Sequence, residues 1–539
     1  NKTKTLAFWS SYESPSNTDI IGSPLVGVND STIGTSESTS TELEVRFDGD
    51  AKATIAVDYA DAGQVRLNAK YTEGNGWNEV EIVGSDSFVS YPARIEIIAV
   101  GSEGLNNNGS KNSSSPKFEK AGAIFELQTR AYSGSDSERS EIVTPNYQQA
   151  TSFLFGLLAP SGGQLGITTI DGVPLVSGDP TPSIMLGGTR DIPISVSEVG
   201  IFSFEFDFPA QYLNVPYAGN ITIEQDNIAS VGRFIPAYFS ATPVTVLLNA
   251  TCNSSSEFTY IGQTFGYQLN PGFYLNPVSV AGVKTDNYLV SGWWKYNNVW
   301  DDRSYISSNG LDLEYDKDSN ATVDRNTSSN SRIELINEEL SYTKIATPIE
   351  PFNASFSLVL SVEDLKDSDG VCYQESSSGT CLGYTFEDVD GVVPFYWGRL
   401  VIHDTYGPEI SPIRNKIEAQ FYDEGRFRTN LADSCTDLVA ISRFDFNSDD
   451  YTVVTSGSPT PPEVNSTLLN STLDEGESWI EFSAPGGGEV GLINSEIDLN
   501  AHGTPWLIDD LNGNGVASGI AQFGIYRGND RVIWWSEQN

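Results

Sequence analysis

Apolar residues in this chain recur in short alternating runs, and nowhere do they keep the 3.6-residue spacing of a long amphipathic helix. Leu43 to Phe47, Thr54 to Tyr59, Val65 to Tyr71 and Ile201 to Phe208 are rich in β-branched and aromatic residues. Clusters of Gly, Asn, Asp and Ser separate them. A period of two puts alternate side chains on one face of a strand, and a half-buried strand must find a second layer to cover that face. Short strands joined by polar turns therefore predict an all-β protein of tandem Ig-like β-sandwich domains with a C-terminal β domain. At 539 residues the chain suits three to five domains of roughly 100–200 residues each.

An internal repeat sets the boundaries. Phe118, Gly122 and Phe125 follow the pattern F-x-x-x-G-x-x-F, with Asn146-Tyr147 beyond. Phe258, Gly262 and Phe265 repeat it, with Asn287-Tyr288 beyond. The lead-ins Phe88 to Ala93 and Arg233 to Tyr238 also match, and each contains a proline suited to the start of an edge strand. These positions predict an N-terminal β domain over 1–90, Ig-like sandwiches over 91–235 and 236–395, the second with insertions, and a C-terminal β domain over 396–539.

Charge narrows the partners. Seventy-two acidic residues against 30 basic give a net charge of −42. Phosphate backbones are bound through Lys and Arg, so nucleic acid is excluded as a partner, and an anionic membrane surface would repel the chain. Adaptation to a salty medium and neutralisation by divalent cations both fit. No apolar run reaches the ~20 residues of a transmembrane segment. Asn1 in place of Met points to a processed or truncated N-terminus. None of the four cysteines forms a C-x-x-C pair, which argues against a zinc ribbon. Cys372 and Cys381 flank a Ser/Gly loop and are expected to bond locally, leaving Cys252 and Cys435 to pair over a long range. Such disulfides suit an oxidising, extracellular setting.

Seven segments give the sequence a family likeness. They are Asp61 to Leu67, Val231 to Pro236, Phe258 to Phe265, Gly398 to Leu400, Glu418 to Tyr422, Asp433 to Thr436 and Phe523 to Arg531. In this order they resemble the large conserved region of the MshQ-type proteins, encoded with the mannose-sensitive haemagglutinin (MSHA) type IV pilus. The resemblance implies a bacterial protein displayed at the cell surface or on a pilus, with pilus components such as minor pilins as partners. It implies no catalytic residues.

Three acidic loops are candidate cation sites. Asp510, Asn512 and Asn514, followed by Gly515, fit the start of a Ca2+ loop, in which alternate residues of a tight turn converge oxygen ligands. Position twelve is Ala521, so a complete EF-hand is excluded and Asp509 is the nearest further ligand. Asp316, Asp318 and Asn320 share the spacing within a longer polar stretch. Asp364, Asp367 and Asp369 precede Cys372 and could simply shape a turn. The tract holding Trp293, Trp294, Tyr296 and Trp300 could stack on a surface glycan, or serve as core. No G-x-S-x-G elbow, H-E-x-x-H helix or phosphate loop occurs. The sequence thus points to a non-enzymatic, pilus-associated adhesin or tip subunit. A structural or assembly subunit of a filament is the first alternative, and a secreted polysaccharide-degrading enzyme the second.

Overall fold

The computed structural model describes residues 2–73, 79–106, 111–134, 142–175, 181–217, 221–253, 257–315, 321–326, 331–438, 445–447, 450–455 and 457–524. Among them the regular structure is all β, with only short 3-10 turns besides. The chain divides into two compact units. The first comprises Asn1–Ser240, Asn276–Tyr296 and Lys366–Cys381, and the second Ala241–Leu275, Asn297–Leu365 and Leu382–Asn539.

In the first unit, a four-stranded sheet runs in the order Thr41–Phe47, Lys2–Ser14, Gly63–Glu73, Val80–Ser90. Phe8, Val28, Val45 and Val65 make its core against a small second sheet around Gly27–Val28. A larger sandwich follows. One sheet carries Glu119–Lys120, Val231–Ile235, Gly200–Asp207, Gln148–Ala159 and Thr181–Gly187 in that order. The facing sheet is centred on Thr189–Val196, Ile124–Tyr132 and Arg94–Gly101. Alternate residues of both sheets meet in the middle: Ile95, Ile97 and Leu127 from one, Phe153, Phe204 and Phe206 from the other. Each such side chain contributes about 1.5–3 kcal/mol when fully buried, so this interior dominates the sandwich's stability.

The second unit repeats the plan. Ser304–Ser307, Phe352–Leu360, Tyr384–Tyr396 and Thr259–Tyr260 form one sheet. Its C-terminal sandwich packs the sheet containing Ile413–Asp423 and Glu477–Phe482 on the sheet containing Gly491–Asp498 and Val516–Phe523. Ile417, Ile480, Ile493, Ile497 and Phe523 fill the space between.

The sequence repeat has a structural meaning. Glu119–Lys120 pairs in parallel with the exit strand Val231–Ile235, and Thr259–Tyr260 pairs in parallel with Tyr384–Tyr396. In both copies the glycine then turns the chain with positive φ, +82° at Gly122 and +92° at Gly262, before the next strand. Thr405–Gly407 makes the same parallel pairing with Val516–Phe523, a third copy that lacks the phenylalanines.

Both disulfides lie within single units. Cys372 and Cys381 close a nine-residue separation with Cα atoms 5.6 Å apart, and Cys252 reaches Cys435, 183 residues on, with Cα atoms 5.8 Å apart. The longer link restricts far more of the unfolded chain. Replacing Cys252 and Cys435 together by alanine should lower the unfolding free energy of the second unit by about 2–5 kcal/mol, read by urea denaturation under non-reducing conditions.

Candidate functional site

The functional architecture is carried by carboxylates that stand two residues before the central strand of a sandwich. Asp61 precedes Gly63–Glu73, Glu198 precedes Gly200–Asp207 and Glu350 precedes Phe352–Leu360. Each of these strands lies between an earlier strand and a later one. Asp61 accepts the backbone N–H of Asn146 at 3.1 Å and its side-chain amide at 2.6 Å. Asn146 in turn bonds both polar backbone atoms of Ile21. Glu198 accepts the backbone N–H groups of Asp286 at 2.8 Å and Asn287 at 3.2 Å, while Asn287 grips the backbone of Gln164 and Val199. Glu350 accepts the N–H groups of Glu424 at 2.8 Å and Gly425 at 3.1 Å. The turn of one β module is thus fastened to the module before it through a single anion. Ala62 and Val199, next to the first two carboxylates, are completely covered.

Burial dominates the ionisation of Asp61 and Glu198. It pushes the carboxyl of Asp61 above its ordinary value, opposed by the hydrogen bonds from Asn146 and Ala62. It does the same to Glu198, opposed by the backbone N–H groups of Asp286, Asn287 and Val199.

A second fastening in the first unit explains the acidic loop before Cys372. Arg233 forms a two-pronged ion pair with Asp369 at 2.5 and 2.6 Å and donates to the Ser115 carbonyl. Asp367 accepts the hydroxyl of Tyr288 at 2.7 Å and the N–H groups of Asp369 and Val371. In the second unit, Asp364 caps its own turn through Ser361 and also accepts from Asp302. These three carboxylates are engaged by the protein itself.

The loop at Asp510 has a different neighbour from the one its spacing suggests. It lines a cavity of about 290 Å³ together with Gly262, Lys344, Asn500 and Trp506. Lys344 donates to the carbonyls of Gly398, Trp506 and Ile508 at 2.6–2.7 Å and lies 4.1 Å from the centre of the Trp397 ring. Burial pushes its ammonium down to about 7, against the pull of Asp509, and the three carbonyl acceptors also favour the charged form. Asp510 accepts from Asn512 N–H, and Asn514 from Val516 N–H, so both side-chain oxygens close local turns. One carboxylate, the Asn500 amide and an ammonium in the same cavity fit Ca2+ poorly, because such a cation takes six to eight oxygen ligands. Asp316, Asp318 and Asn320 lie outside the described residues.

The aromatic tract is packed inward. Trp300 is 1% exposed and packs on Phe273, with its carbonyl held by Arg303. Trp293 and Tyr296 are buried as well, and Trp294 is half-buried against Tyr288 and Tyr296. A ring enclosed by protein cannot offer its face to a sugar, so the glycan platform expected of Trp293, Trp294, Tyr296 and Trp300 gives way to core packing. The cause is tertiary packing, with Phe273 against Trp300, Phe239 against Tyr296 and Tyr288 against Trp294. Cys252, Asp433 and Cys435 are close enough to resemble a metal cluster, but both sulfurs are in the disulfide. Asp433 instead accepts the hydroxyl of buried Tyr260, which also receives the Asn430 amide.

Sequence reasoning missed Glu198, Glu350 and Lys344. A readable signal existed for the first: Asp61-Ala62-Gly63 and Glu198-Val199-Gly200 share an acid-x-Gly pattern that Glu489-Val490-Gly491 repeats.

Comparison with known proteins gives three matches to domain profiles of one family. These are the first, Ig-like domain of DUF6701 over residues 1–85, its third domain over 198–388 and its fourth over 396–538. DUF6701 is described as a domain of unknown function. No curated protein matches. Similar solved structures include invasin, a bacterial integrin-binding protein, at 11% identity over 96% of this chain and 72% of that one, with a TM-score of 0.31. The I9–I11 tandem of titin is 6% identical over 75% and 94%, with a TM-score of 0.22. Zebrafish RET cadherin-like domains 1 to 4 are 8% identical over 96% and 92%, with a TM-score of 0.23.

The raised carboxyl of Glu198 has a pH consequence. An acid whose folded value lies above its unfolded one contributes stability below the unfolded value, near 4.3, and loses it as pH rises through the folded value. Relative to Glu198→Gln, the native protein should therefore become less stable as pH rises from below about 4 towards neutrality, as thermal unfolding across that range would show. At the Asp510 loop, native protein and Asp510→Ala should respond identically to millimolar calcium against EDTA. A site saturated at 100 times its Kd would instead stabilise the native protein alone by about 2.7 kcal/mol.

Proposed function

We propose that this chain, which belongs to the DUF6701 family, is an extracellular surface protein associated with a pilus, acting as an adhesin or tip subunit for a surface glycan or protein. The observation that carries the reading is the use made of buried polar groups. Asp61, Glu198, Asp367 and the Tyr260–Asp433 pair are each spent on fastening one segment to another. An enzyme gathers such groups around a cleft where a substrate can meet them. Two disulfides that persist in an oxidising compartment support placement outside the cytoplasm. Among the described residues no helix is long and apolar enough to cross a membrane. The pilus association rests on the family resemblance of the sequence.

A structural or assembly subunit is the second reading, and one observation favours it. Val80–Ser90 is the edge strand of its sheet, and Val80, Ile82 and Val83 along it are all more than half exposed. An apolar edge of that kind is a template for a neighbouring subunit.

Sheared surface filaments from the native host should carry the protein, and deleting it should reduce adhesion to cells or immobilised glycans. Immunogold labelling at filament tips supports the adhesin reading, and labelling along the shaft supports the structural one. Absence from both filaments and cell surface, with unchanged adhesion, overturns both.

A further inference from the structure

A polar cleft of about 1290 Å³ opens within the second unit, lined by none of the fastening residues described above. One wall is the pair of short strands Leu247–Asn249 and Gly266–Leu269. The other is the turn 336–339, which follows Arg332–Ile336. Phe265 and Leu340 exchange two backbone hydrogen bonds of 2.8 Å and tie the two walls together. Asn337 shapes the turn by adopting a φ of +58°, a left-handed value that asparagine tolerates better than most residues. Gly266 lets the walls approach, since a Cβ there would lie 3.2 Å from the Glu338 carbonyl oxygen.

Most of the charge in this region is held beneath the surface. Arg303 grips Glu338 with two prongs at 3.1 and 2.8 Å, and their side chains are 2% and 0% exposed. Tyr305 donates to the same carboxylate at 3.1 Å, and Tyr267, which lines the cleft, donates to Tyr305 at 3.2 Å. That network holds the turn in place, so a ligand meets a wall already formed and loses less entropy in ordering it. The groups at the mouth are of another kind. Asn249, Asn253 and Asn337 are exposed, Asn270 is half-buried, and Thr264 adds an exposed hydroxyl. Glu339 is exposed beside them, and no described lining residue is basic.

We infer that this cleft is a carbohydrate-binding site that takes a neutral oligosaccharide of several units. The inference rests on the adhesin reading above, whose ligand class it names and whose site it places. An amide side chain both donates and accepts hydrogen bonds, as a sugar hydroxyl does. Four amides and a hydroxyl around one cleft therefore match a chain of sugar hydroxyls without calling on charge. The volume exceeds the roughly 300–1,000 Å³ of a pocket for one drug-sized molecule, which suits an oligosaccharide better than a single sugar. An apolar ligand is disfavoured, because pockets for such molecules are lined mainly by apolar and aromatic side chains. Sialylated and uronic-acid glycans are disfavoured as well, because Glu339 meets them with like charge that no described lining residue offsets.

The test screens the full chain on an array of neutral, sialylated and uronic-acid oligosaccharides and measures affinity for the best neutral one by titration calorimetry. The expected result is binding confined to neutral oligosaccharides. Asn249→Ala combined with Asn337→Gly should weaken that binding about tenfold or more, the loss expected with two hydrogen bonds. Both side chains are exposed and glycine accepts the backbone of position 337, so thermal unfolding of the double variant should match that of the native chain. In the native chain the bound oligosaccharide should slow amide hydrogen exchange at 336–339, a readout that needs no substitution. Binding to no neutral oligosaccharide, preference for acidic ones, affinity unchanged in the double variant or exchange unchanged at 336–339 each overturns the inference. The adhesin reading fails separately, by absence from filaments and cell surface with unchanged adhesion. A protein that is found there and adheres, but binds no neutral glycan through this cleft, loses the cleft assignment alone.

Discussion

A buried carboxylate that accepts backbone N–H groups from the next segment is the interaction on which this architecture depends. Every sandwich ends in a connection, and a connection leaves N–H and C=O groups outside any ladder. Left unpaired in a covered place, each costs on the order of 1–3 kcal/mol. Asp61 answers the backbone N–H groups of Asn146 and Ala62, Glu198 those of Asp286 and Asn287, and as charged acceptors both make stronger hydrogen bonds than a carbonyl would. The cost is visible in their ionisation, which burial drives upward. A fully apolar contact would avoid that cost, but it would not fix which turn meets which sandwich.

Lys344 solves the complementary problem with the opposite charge. The segment Trp506–Ile508 offers carbonyls where the other turns offer N–H groups, and one ammonium with three donors gathers two of them together with Gly398. The residue that meets a turn is thus matched to the sign of the backbone dipoles the turn exposes. This also accounts for the Asp510 loop, which carries a calcium-like spacing beside a cation already supplied by the chain.

The all-β class, the repeat and the cysteine pairing were legible because each rests on local rules. Alternation fixes which face of Ile201 to Phe208 is buried, and a nine-residue separation between Cys372 and Cys381 leaves little choice of partner. Asn146-Tyr147 and Asn287-Tyr288 were visible as a recurrence, but their role was not, since it depends on Asp61 and Glu198, 85 and 89 residues away. Trp293, Trp294, Tyr296 and Trp300 failed for a related reason. An aromatic residue among Asn and Asp looks exposed in one dimension, and only the packing of Phe273 and Tyr288 against these rings reveals the core.

The same reasoning bears on the acidic character of the chain. A net charge of −42 repels itself at every scale, so carboxylates would be expected to stay apart and in water. Several are instead drawn inward at chosen points, each facing N–H dipoles, a hydroxyl or, at Asp369, a guanidinium. Dipoles offset the field of an anion without adding a cation, which suits a chain with only 30 basic residues. Arg233, one of these few, is accordingly placed where its two prongs can hold Asp369 beside the Cys372–Cys381 loop. Scarce cations lock the loops that most need holding, and abundant anions do the repetitive work of joining one β module to the next.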